Sequence, residues 1–363
     1  MPGARARSAR RPGHRRTPCG PRRPCRPRPR RCVPARRGRG SLRQGRGGIR
    51  CGVWRQASWI DPRLESVKVT ALARRIVPAI TAWFRANGRD LPWRRDGFTA
   101  WGTLVSEFML QQTPVSRVIP RLEDWLERWP TPADLAAVPP GEAVRAWASL
   151  GYPRRALWLH AAAVEITRRH DGVVPEDVDA LLALTGVGDY TARAVAAFAY
   201  GHRHPVVDTN TRRVIARAVA GHAEPAPPSR TRDLDAMSAL LPADRAEAAA
   251  FNAAIMELGA VVCTARNPRC DACPIREDCA WVGAGSPAYD GPRKAVQKKF
   301  AGSDRQVRGL VMAELRATHR PVTDAEIDGL WPDPPQRRRA LAGLLSDGLA
   351  VRHGDDGYTL PHQ

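Results

Sequence analysis

The chain has 363 residues, a formal net charge of +22 and eight cysteines, so it has room for two or three domains and a sizeable core. Its basicity is uneven, because 18 of the 58 lysine and arginine residues lie within residues 1–50, where no acidic residue occurs. No run of 18 or more apolar residues is present, which argues against a membrane-spanning helix, and the charge favours a polyanionic partner.

Residues 1–66 consist largely of arginine, proline and glycine without apolar periodicity, and we expect them to be disordered. Three interpretations compete: a nucleic-acid-binding arm, an organellar targeting peptide, or upstream sequence translated from an early start. A targeting peptide would be amphipathic and rich in serine, and this segment is neither. The scattered cysteines favour the third interpretation, with a true start at Val67 or Val69.

Apolar residues at steps of three and four then predict a helix over 69–87 and a second over 100–112. On the second helix Thr103, Glu107 and Gln111 share one stripe. Shorter helices joined by turns with proline or glycine are predicted over 116–128, 132–137, 141–149, 154–169 and 175–184. Since no strand pattern interrupts them, the body of the protein is predicted to be all-α.

A glycine hairpin follows, formed by Gly186, Val187 and Gly188 between two helices. Backbone N–H groups in such a hairpin, and in the first turn of the next helix, can bind a phosphate. By itself the pattern favours an ordinary turn between two helices. The helix after the hairpin leads into an extended PVVD segment that ends on Asp208.

Four cysteines lie within 17 residues in the spacing C-x6-C-x2-C-x5-C, and they are Cys263, Cys270, Cys273 and Cys279. Four thiolates this close must converge on one metal centre, and they argue for a reducing compartment. All-cysteine ligation suits structural zinc and an iron–sulfur cluster equally well. Arg266 and Arg269, between the first two ligands, would face a phosphate backbone if the loop contacts nucleic acid.

The last 60 residues look separate. Ser303 and Thr323 are expected to cap two helices, a third helix carries Arg337 to Arg339, and a hairpin turns at Asp355-Asp356-Gly357. Three helices and a hairpin suggest a winged helix-turn-helix that adds affinity for a duplex. A small packing module without DNA contact is the equal alternative.

Taken together, the motifs resemble those of the A/G-specific adenine DNA glycosylases, the MutY family, which are related to endonuclease III within the helix-hairpin-helix glycosylases. The resemblance runs in unbroken order over about residues 70–280. The motifs that carry it are LPWR (91–94), SEFMLQQT (106–113), LGY (150–152), LTGVGDYTA (184–192), VVDTN (206–210), FNAAIMELGA (251–260) and the cysteine spacing.

The resemblance implies a two-lobed α-helical fold and a [4Fe–4S] cluster on the four cysteines, which decides between the two metals. It places a general acid at Glu107 and a second carboxylate at Asp208, with Asn210 beside it. An adenine N-glycosidic bond breaks only if the leaving base takes a proton, and the remaining sugar is cationic. One carboxyl must therefore stay protonated and the other ionised. Taken singly, Glu107 would read as a solvated helix residue and Asp208 as a helix cap.

Further roles follow from the same resemblance. Tyr190 stands where the bifunctional branch has a nucleophilic lysine, so base removal without efficient strand cutting is expected. Gln111, Gln112 and Tyr152 resemble the residues that contact and wedge into the duplex when the adenine is flipped out. The residues that resemble the wall of the adenine pocket are Trp93, Arg94 and Leu110.

The sequence also departs from the family pattern. Ala253 stands where a glutamine or glutamate usually reaches the base, Pro153 replaces a second tyrosine, and Thr209 replaces a glycine. The C-terminal 60 residues are too short for the Nudix domain with which many members inspect 8-oxoguanine. How the lesion strand is read is therefore the open question of this sequence.

We expect a monofunctional, monomeric adenine DNA glycosylase that acts on A:8-oxoguanine or A:G mispairs in double-stranded DNA, in the cytoplasm with the nucleoid. The alternatives are a bifunctional glycosylase/lyase for oxidised pyrimidines and a non-catalytic iron–sulfur protein that binds DNA. The expected domain boundaries are a tail (1–66), a cluster lobe (67–95 and 206–285), a six-helix barrel lobe (96–205), a basic linker (286–302) and a winged-helix-like module (303–363).

Overall fold

Helices account for nearly all regular structure in the computed structural model, which describes residues 62–291 and 299–362. The predictions for residues 1–61 concern a segment outside this part of the chain. Among the described helices, none combines the length and apolarity needed to cross a membrane. The helices of the body are α1 (Pro62–Asn87), α2 (Ala100–Leu110), α3 (Val115–Arg128), α4 (Pro132–Ala136), α5 (Pro140–Trp147), α6 (Arg154–Arg169), α7 (Val178–Leu182), α8 (Asp189–Phe198), α9 (Thr209–Ala218), α10 (Arg230–Ser238), α11 (Arg245–Val261) and α12 (Ala280–Gly283).

Several helix boundaries differ from the sequence-based expectation: α7 spans Val178–Leu182 where 175–184 was expected, and α1 and α2 differ as follows. Helix α1 begins at Pro62, so the first residues of this helix were wrongly assigned to the tail. Helix α2 ends at Leu110 and not at residue 112, because Gln111 leaves the helical region and Gln112 takes a positive φ of 55°. The residues beyond Leu110 therefore form an exposed turn.

Helices α2 to α8 form the barrel lobe around a cluster of buried apolar side chains. Its centre is a group of tryptophans in which the ring of Trp125 meets Trp129 edge-on at 4.7 Å and Trp147 at 5.7 Å. Helix α2 crosses this core with nine consecutive buried residues, Trp101 to Met109. A glutamate in that run must therefore be buried as well.

Helices α1 and α9 to α12 form the cluster lobe around a second apolar core that includes Ile76, Phe251 and Leu258. Between the two cores a small group packs α8 against the extended segment before α9, with Ala194, Ala197 and Val206 fully buried. This contact joins the lobes where the hairpin helix and the Asp208 segment meet.

The C-terminal module comprises α13 (Asp304–Ala317), α14 (Asp324–Gly329), α15 (Pro334–Ser346), β1 (Val351–His353) and β2 (Gly357–Thr359). The strands pair antiparallel, and Val322 adds a bridge to Tyr358. Apolar residues of this module belong to the same cluster as the barrel core, among them Val311, Leu315 and Leu344. The module is therefore packed onto the barrel lobe through a continuous apolar core.

We predict that Gly141→Ala loosens this packing. A Cβ at residue 141 would lie 2.4 Å from the carbonyl oxygen of Pro361, so the backbone of the module must shift. The expected cost is about 1–3 kcal/mol in the free energy of unfolding, measured by chemical denaturation. Gly309→Ala is the matched control, because the space around Gly309 on α13 is open and alanine favours a helix. Equal stability of the two variants would contradict the close approach of Pro361.

Candidate active site

Glu107 lies in the middle of α2 with 6 % of its surface exposed. The pKa of its carboxyl is raised to about 7, mainly because the group is buried; a hydrogen bond with Tyr190 opposes this increase, and the negative charge of Asp208 adds to it. Near neutral pH this carboxyl therefore holds a proton much more readily than an exposed glutamate does.

Asp208 is the N-cap of α9. Its Oδ1 accepts a hydrogen bond of 2.6 Å from the backbone N–H of Thr211, and its Oδ2 accepts one of 2.8 Å from Asn210 Nδ2. Two hydrogen-bond donors and the positive end of a helix therefore face this side chain.

Asn252 fixes the extended segment that leads to Asp208, a role that the sequence did not reveal. This fully buried side chain accepts from the backbone N–H of Val206 at 3.0 Å and donates to the carbonyl of His204 at 3.0 Å. Helix α11 thereby provides hydrogen-bond partners for the backbone of this extended segment, which has no neighbouring strand among the described residues. The segment places Asp208 at the boundary between the lobes.

Tyr190 stands next to both carboxyls on the first turn of α8. Its pKa is raised well above the usual value by burial and then by the negative charges of Glu107 and Asp208. The phenol therefore stays protonated and serves as a hydrogen-bond donor to Glu107. The structure thus brings together Glu107, Tyr190 and Asp208 from three different elements.

The glycine hairpin packs directly on the helix that carries Glu107. Gly186 has a φ of +79°, and a Cβ there would lie 2.6 Å from Trp158 Cβ and 3.0 Å from the ring of Phe108. Gly188 is the N-cap of α8, so the amides of the first turn of α8 point out of the barrel lobe. Gly186 is therefore needed for this close approach and turn.

Charged side chains surround the start of α8. Asp189 pairs with Arg193 at 3.2 Å and with Arg230 of α10 at 2.8 Å. Arg230 is exposed and places a guanidinium beside the hairpin formed by Gly186, Val187 and Gly188. An anion that approaches the hairpin therefore meets both backbone donors and a cation.

The residues predicted to enter the duplex lie on two neighbouring turns. Gln111 and Gln112 follow the end of α2, and Tyr152 precedes α6 with 54 % of its surface exposed. Gln112 and Tyr152 both adopt positive φ, at 55° and 47°. Both side chains are thus presented on strained turns and not on helix faces.

Arg155 holds these two turns together, and the sequence gave no sign of this role. Its guanidinium is buried and donates to the carbonyls of Phe108 (2.7 Å), Gln111 (2.6 Å) and Gly151 (2.9 Å). It also donates to the hydroxyl of Thr113 at 3.0 Å. One side chain therefore closes the end of α2 and anchors the turn that bears Tyr152.

The three residues predicted for the base pocket are placed near one another but differ in their contacts. Trp93 and Leu110 pack against the barrel core. The guanidinium of Arg94 donates to Glu257 at 2.8 Å and lies 4.9 Å from the centre of the Phe84 ring. Arg94 is therefore committed to an ion pair.

That ion pair is centred on Glu257, which is buried on α11. Arg89 binds both of its carboxylate oxygens at 2.6 and 2.8 Å. Burial would raise the pKa of Glu257, but the hydrogen bonds from Arg89 and Arg94 outweigh it and hold the pKa at about 2. This pair ties the LPWR segment to the cluster lobe.

The four predicted ligands lie together around one concavity of the cluster lobe, along with the apolar side chains of Val214, Leu258 and Ile275. Arg217 donates to the Sγ of Cys263 at 3.4 Å and to the carbonyl of Thr264 at 2.8 Å. Four thiols, an apolar surround and a guanidinium donor fit a cluster of negative charge. Cys263, Cys270, Cys273 and Cys279 would hold it.

Arg213 connects this loop to the second carboxylate. It donates to the carbonyls of Cys263 at 2.7 Å and Gly259 at 2.6 Å, and to Asn210 Oδ1 at 2.8 Å. Asn210 in turn donates to Asp208. The predicted position of Asn210 beside Asp208 is thus part of a longer chain of contacts.

The two arginines of the cluster loop face outward to different extents. Arg269 donates to the carbonyl of Val261, close to the end of α11. Arg266 is exposed on the loop between the first two cysteines. Their contact with a phosphate backbone stays a prediction.

Comparison with known proteins agrees with this geometry. Residues 105–237 match the family model described as HhH-GPD superfamily base excision DNA repair protein, and residues 263–279 match the iron-sulfur binding domain of endonuclease III. The second match confirms an iron–sulfur cofactor, and the assignment of the four cysteines as its ligands stays a prediction.

Relatives extend over most of the chain. The adenine DNA glycosylase of Mycolicibacterium smegmatis is 55 % identical over 282 residues, which cover 77 % of this chain and 94 % of that protein. A solved thermostable thymine-DNA glycosylase aligns with a TM-score of 0.54 and 25 % identity over 59 % of this chain and 98 % of its own. A solved endonuclease III–DNA complex aligns with a TM-score of 0.52 and 22 % identity over 60 % of this chain and 97 % of that one, a likeness in fold alone.

We predict that Glu107 makes the stability of the protein depend on pH. Its pKa is about 7 in the folded protein, against an ordinary 4.5, so the native state binds the proton more tightly than the unfolded chain. The stabilisation is complete below pH 4.5 and is lost as pH rises through 7, by on the order of 3 kcal/mol.

Unfolding free energies of the wild type and Glu107→Gln, measured from about pH 5 to about pH 8, test this. The variant carries no titrating group there, so its advantage over the wild type should grow as pH rises. Glu127→Gln, an exposed change on α3, serves as the control. A constant difference between Glu107→Gln and the wild type would contradict the raised pKa.

Proposed function

Because the chain belongs to the adenine DNA glycosylases, we propose that it hydrolyses the N-glycosidic bond of adenine mispaired with 8-oxoguanine or guanine in double-stranded DNA. Family membership makes it a base-excision-repair enzyme, a hydrolase of N-glycosyl bonds with an iron–sulfur cluster. The proposal includes the identity of the mispair, the roles of the residues, the absence of lyase activity, and action as a monomer on chromosomal DNA in the cytoplasm.

The observation that carries the proposal is the difference in surroundings between two carboxyls that lie beside one phenol. Glu107 is buried with a pKa of about 7, and Asp208 receives two hydrogen bonds at a helix N-terminus. A leaving adenine needs a proton, which Glu107 supplies. The sugar that remains is oxocarbenium-like, and ionised Asp208 stabilises it.

Tyr190 and Asn210 position these two groups. The Tyr190 hydroxyl donates to Glu107 and stays protonated itself, so it orients the acid without competing for its proton. Asn210 donates to Asp208, and its own oxygen is fixed by Arg213. The iron–sulfur cluster would supply structural support when bound. Arg213 connects the cluster loop to the Asp208 site, because it donates to the Cys263 carbonyl and also to Asn210.

The glycine hairpin before α8 binds the duplex, and the two turns that bear Gln112 and Tyr152 open it. Amides at the start of α8 bind a backbone phosphate beside Gly186, Val187 and Gly188, and exposed Arg266 and Arg269 bind a second stretch of backbone. Gln112 and Tyr152 fill the space left when adenine is flipped out, with Gln111 at the helix end. Trp93 and Leu110 line the base pocket, and Arg94 supports its wall through Glu257.

We predict that adenine is released rapidly from duplexes with A opposite 8-oxoguanine or G, and slowly from A opposite C or T. Glu107→Gln removes the proton donor and should slow release at least about a hundredfold, and Asp208→Asn should have a comparable effect. Single-turnover assays of free adenine measure this, with Glu127→Gln as the control. Release that is undiminished in Glu107→Gln would exclude this carboxyl as the acid.

We also predict that the enzyme leaves its abasic product uncut. A phenol at residue 190 cannot form a Schiff base with the sugar, so no covalent adduct should be trapped by borohydride. Gel analysis of product strands with and without hot alkali measures cutting, with a bifunctional endonuclease III as the positive control. Strand breaks without alkali would support the alternative of a glycosylase/lyase.

A further inference from the structure

The turn that presents Tyr152 is strained along its length. Within Ala148–Tyr152, here called the wedge loop, φ is +47° at Ala148, +84° at Gly151 and +47° at Tyr152. Positive φ at a residue other than glycine is strained and persists only where neighbouring groups enforce it. Some contacts must therefore hold this loop in its conformation.

The carbonyl groups of the wedge loop are held by side chains from several elements. Each of the first four carbonyls accepts a side-chain hydrogen bond. The pairs are Ala148 with Arg316, Ser149 with Arg117, Leu150 with Thr113, and Gly151 with both Arg155 and Trp147. All of these donors except Arg316 belong to the barrel lobe or its connecting turns.

Arg316 comes from the C-terminal module, at the end of α13. It is half-buried and donates to the carbonyl of Ala148, the first strained residue of the loop. Its own backbone carbonyl accepts a hydrogen bond from Arg145 of α5, which fixes the end of α13 against the barrel lobe. The contact is therefore made between two anchored segments.

The module also reaches the other end of the wedge loop. Asp347, just after α15, pairs with Arg154 at 3.3 Å and with Arg308 of its own module. Arg154 is the second residue after Tyr152. The module thus contacts the chain immediately before and immediately after the strained segment.

Direct binding of DNA by the module is less well supported. Residues 303–363 carry eight arginines against nine acidic residues and no lysine, which is a poor balance for neutralising phosphates. On α15, Arg337 pairs with Asp328 and Arg339 with Asp304. The basic helix that suggested a winged helix-turn-helix is therefore largely neutralised within the module.

We propose that the C-terminal module positions the wedge loop, with Arg316 as the positioning residue that holds Ala148 and thereby sets the direction in which Tyr152 enters the duplex. The inference rests on the proposed function, in which Tyr152 fills the space next to the flipped adenine. Without the Arg316 contact, Ala148 relaxes towards ordinary φ values, and the strained turn no longer presents Tyr152 in one fixed direction.

A double-mutant cycle with full-length, cluster-loaded protein tests the proposal. Single-turnover excision from an A:8-oxoguanine duplex is measured for the wild type, Arg316→Gln, Tyr152→Ala and the double variant. If Arg316 acts through Tyr152, Arg316→Gln lowers the single-turnover rate constant roughly fivefold alone and less than about twofold in the Tyr152→Ala background. Arg320→Gln is the matched control, because Arg320 pairs with Glu326 inside the module. It should leave excision unchanged.

Thermal unfolding of each variant separates positioning from general destabilisation, and Arg316→Lys, with a single donor group, replaces Arg316→Gln if the latter does not fold. If the Arg316 variant lowers the excision rate by the same factor in both backgrounds, or lowers it in neither, the positioning role is overturned and the proposed function stays intact. Undiminished excision by Tyr152→Ala would instead remove the wedge role of Tyr152, and the positioning role with it.

Discussion

The site depends on the burial of one carboxyl, that of Glu107, beside a second carboxyl, that of Asp208. Glu107 is shielded from water because its helix is buried along most of its length. Asp208, in contrast, accepts hydrogen bonds from a backbone amide and from an asparagine side chain. Burial therefore raises the pKa of Glu107, and the negative charge of Asp208 adds to this effect. Tyr190 lies beside both groups, and its hydrogen bond to Glu107 acts in the opposite direction.

The carboxyls come from different lobes, so the distance between them is set by how the lobes meet. Helix α11 approaches the start of α9 so closely that a Cβ at Gly259 would lie 2.8 Å from Asn210. Arg213 bridges the same contact and reaches the Cys263 carbonyl. The cysteine loop is thus connected to Asp208 through the hydrogen bonds of Arg213 and Asn210.

The sequence was sufficient for features that repeat locally. Helix periodicity predicted the helices of the body, cysteine spacing predicted the metal centre, and motif order predicted Glu107 and Asp208 as a pair. The sequence was insufficient to predict the role of Arg155, because that side chain binds carbonyls 44 to 47 positions away and leaves no periodic pattern. The hydrogen bonds that Arg155 donates to carbonyls at the end of α2 are also one reason why this helix ends at Leu110 and not at residue 112.

The apolar core shared by the barrel lobe and the C-terminal module has a consequence for the synthesis of the protein. Val311, Leu315 and Leu344 belong to the same cluster as Trp125 and Trp147. On the ribosome the barrel helices emerge long before these residues, so one face of their core meets water until translation is nearly complete. The nascent chain is therefore exposed to aggregation in that interval, and a message truncated before the last helices yields a protein whose core lacks its final layer.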